Sequence, residues 1–364
     1  MSPTATPATV VPVPRPALAA PPAPAGRDPF FDNAKYLAIV LVALGHAWQP
    51  LTYTSRAATA LYLTVYAFHM PAFILISGYF SRGFDMSPAK VKRLVTGVAV
   101  PYVIFEVAFT YFQHWAEDAP AEPVSLTNPW YLNWFLAALF VWRLTTPIWR
   151  TVRWPVPVAF AIAVLAALSP DIGSDFDLQR VLQFLPYFVA GLHMKRSHFD
   201  LVRRRWVRIA AVPVFAATVA AVYWLAPRVE NGDEWVFHND SVQKLHEPAW
   251  AAPVMTFALF ACAAVLIACF FAWVPGRTVW FTALGGGTLY GFLLHGFLIK
   301  LSRWWEWYDA AEWIRRPVGE VVVTVLAIAM MTVLCTRPVR RVFRFVVEPR
   351  MDWAFRKGSG PGAL

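Results

Sequence analysis

The sequence predicts an all-α, polytopic membrane protein with about ten transmembrane helices, and three observations support this fold class. The chain of 364 residues is 58% hydrophobic and only 15% charged, whereas soluble domains have roughly 25% charged residues. Its apolar residues gather in stretches near the length at which a helix crosses a bilayer. Its basic residues concentrate in alternate connecting segments, as the positive-inside rule predicts for a multi-pass protein.

Ten apolar stretches are the predicted membrane-spanning helices, and the fifth and sixth are the shortest. They cover residues 33–51, 60–80, 94–114, 129–147, 155–169, 179–194, 207–226, 252–274, 279–300 and 318–336. The connecting segments leave no room for a soluble domain of useful size. We therefore expect one transmembrane domain over residues 29–345.

The two ends of the chain differ in composition from this domain. Residues 1–28 are rich in Pro and Ala and have few large apolar side chains, which predicts a disordered cytoplasmic tail. This segment lacks the basic start and the continuous apolar run of a signal peptide. Residues 346–364 are predicted to form a basic cytoplasmic tail.

The distribution of charge predicts the orientation in the plasma membrane. With the N-terminus in the cytoplasm, 24 of the 32 Lys and Arg residues fall on the cytoplasmic side, and most acidic residues of the loops fall on the other. Ten spans then leave both termini in the cytoplasm. The net charge of +10 follows from this topology, so nucleic acid is not an expected partner.

The basic cytoplasmic loops have two interpretations. They could simply fix the topology and contact anionic membrane lipid. Alternatively, they could bind a phosphorylated cytosolic ligand, because Arg and Lys pair well with phosphate. Charge alone favours the first interpretation.

The cysteines give no sign of a metal centre or a disulfide framework. Cys262, Cys269 and Cys335 all lie in apolar stretches, far from any C-x-x-C spacing. We expect them to be small buried residues.

The first span carries a polar stripe on an apolar helix. Lys35 and His46 are 11 residues apart, almost three full turns, so they share one face about 16 Å apart along the axis. Asp32 lies three residues before Lys35 and can pair with it. A helix-end charge pair explains Asp32 and Lys35 as well as a functional role does, whereas a histidine within the membrane favours function. Asn33 is predicted only as a polar residue near the helix start.

Further polar residues interrupt the other spans. The second contains His69 at its centre, with Pro71 as a predicted kink, and the third contains Glu106. A carboxyl group at that depth must be protonated or paired. The fourth contains Asn133 and Trp134, and the ninth contains Tyr290 and His295 after a run of three glycines. Together these residues predict a polar interior within the helix bundle.

The order and spacing of these motifs resemble the acyltransferase-3 family of integral-membrane acyltransferases, and within it the branch similar to fucose 4-O-acetylase. The resemblance covers about residues 28–345. The segments that carry it are FDNAKYLAIVLVALGH (31–46), FHMPAFILISGYFSR (68–82), KRL with PYVIFE (92–94 and 101–106), WYLNWFLAALFVWRL (130–144), LPYFVAGLHM (185–194) and GTLYGFLLHGFLI (287–299).

This resemblance implies ten membrane helices and an acyl-transfer activity. The family moves an acyl group, usually acetyl, from cytosolic acyl-CoA to a hydroxyl of a sugar, a glycan or a glycosylated small molecule. Acetyl-CoA is then a co-substrate rather than a permanently bound cofactor, and thioester chemistry needs no metal. The family's first span has an arginine, ten residues and a histidine. Lys35 stands at the arginine, where it keeps the charge without the bidentate fork, and His46 stands at the histidine.

We therefore predict roles for twelve residues. His46 is the expected general base or acyl-carrying nucleophile, because histidine exchanges protons near neutral pH. Lys35 would orient the donor or offset charge, and Asp32 would position Lys35. Arg82, Lys92 and Arg93 would hold the donor phosphates. The residues expected to bind the acceptor or orient His46 are His69, Glu106, Asn133, Trp134, Tyr290 and His295.

Two other classes of protein compete with this prediction. A transporter or flippase would use the polar interior of the bundle as a permeation path. However, no internal repeat is evident in the sequence, and many transporters are built from repeats. A non-catalytic membrane subunit would have no need for His46, His69 and Glu106 within lipid.

Overall fold

The computed structural model describes residues 27–117, 123–228 and 232–356. Over these ranges the chain folds into helices without a β-strand, as the sequence predicts. The predicted disordered tail of residues 1–28 lies outside the described residues except for Arg27 and Asp28, and so do residues 357–364 of the predicted C-terminal tail. The α-helices are α1 (Pro29–Trp48), α2 (Arg56–Tyr66), α3 (His69–Ser81), α4 (Pro88–Leu94), α5 (Val100–Glu117), α6 (Trp134–Thr151), α7 (Pro155–Ala167), α8 (Leu178–Gln183), α9 (Leu185–His193), α10 (Arg196–Val202), α11 (Arg205–Leu225), α12 (Gly232–Phe237), α13 (Ala251–Trp273), α14 (Thr288–Trp304), α15 (Pro317–Leu334) and α16 (Arg337–Val347).

Several helical segments are suited to a bilayer. Five are long and apolar enough to cross one by length and composition: Arg56–Ser81, Pro88–Glu117, Arg205–Arg228, Ala251–Trp273 and Pro317–Leu334. Ala211 is the one buried residue of α11 in the described structure, and side chains such as Ile209 and Val212 point outward. Such an apolar outer surface is expected of a helix that faces lipid. The class of all-helical membrane protein is thus confirmed, and the number of ten spans stays a prediction.

The helix ends differ from the predicted spans where the backbone turns. The second span divides into α2 and α3 at Ala67–Phe68, so Pro71 lies in the first turn of α3, where its missing N–H costs little. The fourth begins at Trp134 rather than residue 129, because Tyr131 has a φ of 52°. The sixth divides at Phe184 into α8 and α9. These ends depend on local backbone geometry, which hydropathy does not record.

Two glycines allow α3 and α9 to pack backbone against backbone. A Cβ on Gly78 would overlap the carbonyl oxygen of Phe188, and a Cβ on Gly191 would overlap the carbonyl oxygen of Leu75. Close approach at small residues is the usual way in which membrane helices associate. Gly78 of the second span therefore has a packing role.

α1 lies at the centre of the bundle, against α2, α3, α14 and α15. Its N-cap is Asp28, whose side chain accepts from the Phe30 N–H. Asn33 is fully buried: its Nδ2 donates to the carbonyls of Pro275 (2.8 Å) and Arg277 (3.0 Å), and its Oδ1 accepts from Thr282 (2.7 Å). Asn33 therefore ties α1 to the α13–α14 connection rather than serving as a simple helix-start residue.

Candidate active site

His46 lies near the C-terminal end of α1, inside a cluster of rings from three other parts of the chain. Its ring centroid is 5.0 Å from that of Tyr131, 5.6 Å from that of His295 and 6.2 Å from that of Tyr66. The Tyr66 hydroxyl is 3.3 Å from His46 Nδ1, and the tautomer decides which atom donates. The sequence predicted His46 and His295 as site residues, and the fold places them side by side.

The hydrogen bonds of His295 define its tautomer. Its Nδ1 is 2.7 Å from the carbonyl oxygen of Phe292 and 3.0 Å from that of Gly291. Carbonyl oxygens only accept, so Nδ1 carries a proton and Nε2 presents a lone pair when the ring is neutral. Nε2 is buried without a hydrogen-bond partner among the described residues. His295 thus offers a buried acceptor beside His46.

Arg303 holds the end of α1 against α14. One of its terminal nitrogens donates to the His46 carbonyl and to Gln49 Oε1, both at 2.8 Å. Its Nε and the Tyr131 hydroxyl are buried without a partner in the described structure. Buried polar atoms are nearly always hydrogen-bonded. The unsatisfied atoms of Arg303, Tyr131 and His295 therefore mark a place for a polar ligand or transition state.

His46, Tyr66 and Tyr131 form one wall of a cavity of about 190 Å³. Aromatic faces and a few hydrogen-bonding groups make up its surface, a common composition for small-molecule sites. Its lining is Val42, His46, Gln49, Tyr66, His69, Met70, Tyr131, Leu132, Trp134, Arg180, Phe184, Val236, Phe237 and Phe292. The predicted residues His46, His69 and Trp134 therefore share one cavity, whose described lining does not extend to Lys35.

Glu106 and Asn133 lie behind the cavity wall and brace it. Glu106 is 2% exposed and Asn133 is fully buried. The Glu106 carboxyl oxygens accept from the Trp130 N–H (2.8 Å) and from Asn133 Nδ2 (2.9 Å). The turn that carries Tyr131 is thereby fixed to α5 despite its left-handed backbone, a conformation that costs of order 1–3 kcal/mol in a non-glycine residue. Both side chains position the site rather than line it.

Asp32 and Lys35 form an ion-pair cluster at the other end of α1. One Asp32 oxygen accepts from Lys35 Nζ (2.8 Å) and from an Arg27 terminal nitrogen (2.9 Å). Gly285 fits directly against the backbone of Asp32, where a Cβ would overlap it. The predicted pairing of Asp32 with Lys35 is confirmed, and the catalytic roles of both residues stay predictions.

The predicted donor-binding residues lie at this same end, and two of them already have protein partners. Arg82 donates to the carbonyls of Tyr79 and Met194 and stacks on the Tyr79 ring. Lys92 forms a 2.9 Å ion pair with Asp352, and its hydrogen bond lowers the pKa of that carboxyl group. Arg93 is exposed. Tyr290 lies apart from the His46 cavity, as the floor of a separate cleft under α16.

Sequence reasoning missed the residues whose partners are distant in the chain. Arg303 lies eight residues after His295 on α14, a spacing that puts both on one helix face. This spacing was the one sequence pattern that could have indicated Arg303 as a site residue. Tyr66, Tyr131 and Arg180 carried no comparable pattern. No group of three His, Cys, Asp or Glu side chains is arranged for a metal ion among the described residues.

The fold and the histidine pair define a helical membrane protein with a candidate active site, and comparison with known proteins identifies its family. A family model described as an acyltransferase domain matches residues 28–336. The chain belongs to this acyltransferase-3 family, so the resemblance to the family found in the sequence is confirmed.

Individual relatives are distant. The nodulation protein NolL of Mesorhizobium japonicum is 25% identical over 355 residues, which cover 89% of this chain and 92% of NolL. The glucans biosynthesis protein C of Salmonella schwarzengrund and that of Salmonella typhimurium are each 25% identical over 294 residues, which cover 64% of this chain and 74% of theirs. No solved structure matches the chain.

Proposed function

We propose that this protein is an O-acyltransferase that moves an acyl group, most simply acetyl, from acyl-CoA to a hydroxyl of a sugar, a glycan or a glycosylated small molecule. The observation that carries the proposal is the contact of His46 with the fully buried His295, beside a cavity that His46 lines together with the unsatisfied Tyr131 hydroxyl. The name of one set of relatives, glucans biosynthesis protein C, supports a carbohydrate acceptor. Membership of the branch similar to fucose 4-O-acetylase is part of the same proposal.

In this reaction His46 takes one proton and later gives it up. His46 takes the proton of the acceptor hydroxyl as the oxygen attacks the thioester carbonyl. The tetrahedral intermediate places negative charge on the former carbonyl oxygen, and the buried Tyr131 hydroxyl can donate to it. Collapse of the intermediate forms the ester, breaks the C–S bond and releases the thiolate of CoA, which recovers the proton from His46.

His295 and Tyr66 position the base in this scheme. The Tyr66 hydroxyl engages His46 Nδ1 (3.3 Å), which orients the ring so that its other nitrogen can face the acceptor. His295 keeps Nδ1 bound to backbone carbonyls, which leaves its Nε2 as an acceptor in the ring that lies beside His46. His46 acting as an acyl-carrying nucleophile is the variant of this mechanism that would form an acyl-enzyme before the acceptor binds.

The proposal includes an arrangement in the plasma membrane. Ten spans, with α2–α3, α4–α5 and α8–α9 each crossing once as a continuous or broken helix, leave both termini in the cytoplasm. Lys35 then lies at the cytoplasmic end of α1, and His46 lies about 16 Å further along it. The donor would approach from the cytoplasm, and the acceptor would enter the cavity beside His46.

The experiment that tests this function compares His46→Ala with wild type in purified, folded protein. The assay measures acetyl-CoA consumption and acetylated product with a panel of glycan acceptors. We expect the variant to lose at least about 100-fold in kcat, the usual contribution of a general base. His114→Ala is the matched control, because this histidine lies on α5 outside the cavity lining. Near wild-type turnover in His46→Ala would refute the assignment of the base.

Two further experiments distinguish a general base from an acyl-carrying nucleophile at His46 and test whether the protein is instead a transporter. Rapid quenching of wild type with radiolabelled acetyl-CoA in the absence of acceptor would trap an acetylated protein if His46 is a nucleophile, and none if it is a base. Solute accumulation in proteoliposomes without any use of acetyl-CoA would instead identify a transporter.

A further inference from the structure

α16 is an amphipathic helix with all of its arginines close to one face. Arg337, Arg340, Arg341 and Arg344 follow the i, i+3, i+4, i+7 spacing that places side chains on a single stripe. Val339 and Val346 pack on the core from the opposite face. The helix therefore presents a row of four arginines on the face opposite the one that packs on the core.

These arginines line a cleft of about 310 Å³ with Tyr290 and Glu348. Tyr290 is 1% exposed, and the Arg340 guanidinium lies 5.8 Å from its ring centroid. Glu348 is the one acidic residue of the described lining, and it lies 3.9 Å from Arg344 Nε. Four cations thus face one carboxylate in a concave site, an arrangement that attracts anions.

Arg340 has an unsatisfied donor in this cleft. Its Nε is buried and has no hydrogen-bond partner among the described residues. Leaving a charged donor unpaired is costly. A guanidinium fork matches the oxygens of phosphate bidentately, so a bound phosphate would satisfy the group.

The cleft adjoins the cytoplasmic end of the α1 stripe. A Cβ placed on Gly286 would lie 2.9 Å from one Arg27 nitrogen and 3.1 Å from one Arg340 nitrogen. Arg27 in turn pairs with Asp32, the partner of Lys35. Tyr290 and His295 are five residues apart on α14, or about 7.5 Å along its axis. An elongated molecule held at the cleft is therefore near enough to reach toward the histidine pair.

We propose that the α16 cleft binds the phosphate groups of the acyl-CoA donor. This inference rests on the proposed function and extends it, because Arg82, Lys92 and Arg93 were the phosphate ligands expected from sequence. Arg82 and Lys92 already form hydrogen bonds or an ion pair within the protein, whereas the four α16 arginines of the cleft have one acidic neighbour. The phosphate of an anionic lipid headgroup shares the same chemistry and is the competing ligand.

The test measures the Arg340→Gln/Arg344→Gln variant against Arg150→Gln/Arg153→Gln, a matched loss of two exposed arginines near the end of α6. Each protein is assayed with acetyl-CoA and with S-acetylpantetheine, which keeps the thioester arm but lacks every phosphate. We expect the KM for acetyl-CoA to rise about 10- to 100-fold in the cleft variant, from lost charged hydrogen bonds, with kcat and the S-acetylpantetheine kinetics unchanged. An unchanged KM for acetyl-CoA would overturn the inference and leave the proposed function standing.

Direct binding separates failure of this site from failure of the function. Calorimetric titration of free CoA requires no acceptor and no turnover, and Arg341→Gln, a single exposed change, serves if the double variant does not fold. Binding to wild type that weakens in the cleft variants supports the site. If wild type neither binds CoA nor uses acetyl-CoA, the proposed function and this inference are both refuted.

An experiment with lipid vesicles distinguishes the phosphates of acyl-CoA from the phosphate of a lipid headgroup. Wild type and the cleft variant are reconstituted in vesicles of phosphatidylcholine alone and of phosphatidylcholine with phosphatidylglycerol, and their thermal unfolding is compared. If phosphatidylglycerol stabilises wild type but not the variant while both have the same KM for acetyl-CoA, the cleft is a lipid site and the inference is wrong. Equal lipid effects on both proteins support the donor assignment.

Discussion

Replacing Glu106 by alanine would remove the acceptor of one buried and one partly buried donor. The Trp130 N–H and Asn133 Nδ2 both donate to Glu106, at 2.8 and 2.9 Å, and Asn133 is the fully buried partner. An unsatisfied buried donor costs about 1–3 kcal/mol, so the substitution costs at least that amount, and up to about 6 kcal/mol if the Trp130 N–H also stays unpaired. Domains are stable by roughly 5–15 kcal/mol, and the loss would be a large share of that. Tyr131 would also lose the anchor that holds its turn beside His46.

Exchanging carboxylate and amide groups at positions 106 and 133 separates the contribution of hydrogen bonding from that of charge. In Glu106→Gln, the new carbonyl still accepts from Trp130, and the Asn133 amide can rotate so that its unpartnered Oδ1 accepts from the new amide. We expect a loss of about 1 kcal/mol. Asn133→Asp places two carboxyl groups face to face and should be far less stable. The exchange Glu106→Gln/Asn133→Asp restores a donor opposite an acceptor, so it should be more stable than Asn133→Asp alone.

The assay is unfolding of the detergent-solubilised protein by titration with sodium dodecyl sulfate, followed by acyl transfer on the folded fraction. Glu117→Ala is the control, because this carboxylate lies on the same helix but is exposed, where one hydrogen bond to Gln113 contributes little. The bracing role would be refuted if the free energy of unfolding of Glu106→Ala lay within about 0.5 kcal/mol of that of wild type, the range of ordinary surface changes. So would a double variant no more stable than Asn133→Asp.

Two further predictions concern packing and chemistry. Gly191→Ala should lower the unfolding midpoint in detergent, because the added Cβ overlaps the Leu75 carbonyl and forces α3 and α9 apart. Gly97→Ala is the control and should leave the midpoint nearly unchanged, because its added Cβ meets no atom within 4 Å. Equal midpoints for the two variants would contradict the close packing of α3 on α9. Tyr131→Phe should keep stability but lower kcat for acyl transfer about 10²- to 10³-fold, the usual effect of removing one oxyanion donor. A wild-type kcat with this variant would exclude the Tyr131 hydroxyl from the reaction.

The fold class was predictable because hydropathy and helical period are local properties. The α1 stripe shows how far this extends: Lys35 pairs with Asp32 as the spacing of three predicts, and His46 lies near the far end of the same helix. Asn33 shows where it stops. Its partners are the carbonyls of Pro275 and Arg277, more than 240 residues away, and backbone carbonyls carry no signature in a sequence.

The same limit explains which residues of the site the sequence predicts and which it misses. His295 was predictable because an ionisable ring within an apolar span is costly unless it has a use. Arg303 was missed because its partner is the His46 carbonyl, and Tyr131 because its position depends on a left-handed turn held by Glu106 and Asn133. The chemistry of a site residue can be read from its type, whereas its placement depends on the groups that hold it.

The end of the bundle at which α1 begins, where we propose that the donor binds, gives the strongest case for this distinction. Charge patterning assigns basic residues to a side of the membrane, but it does not show which cations are already neutralised. Lys92 is paired with Asp352, 260 residues further along the chain, whereas Arg340 keeps a buried donor without a partner. A phosphate gains most from a cation whose attraction is not already satisfied, since a paired cation must first give up its partner. This is why we propose the cleft under α16 as the phosphate site rather than α4, although α4 carries the more conspicuous basic run of Lys90, Lys92 and Arg93.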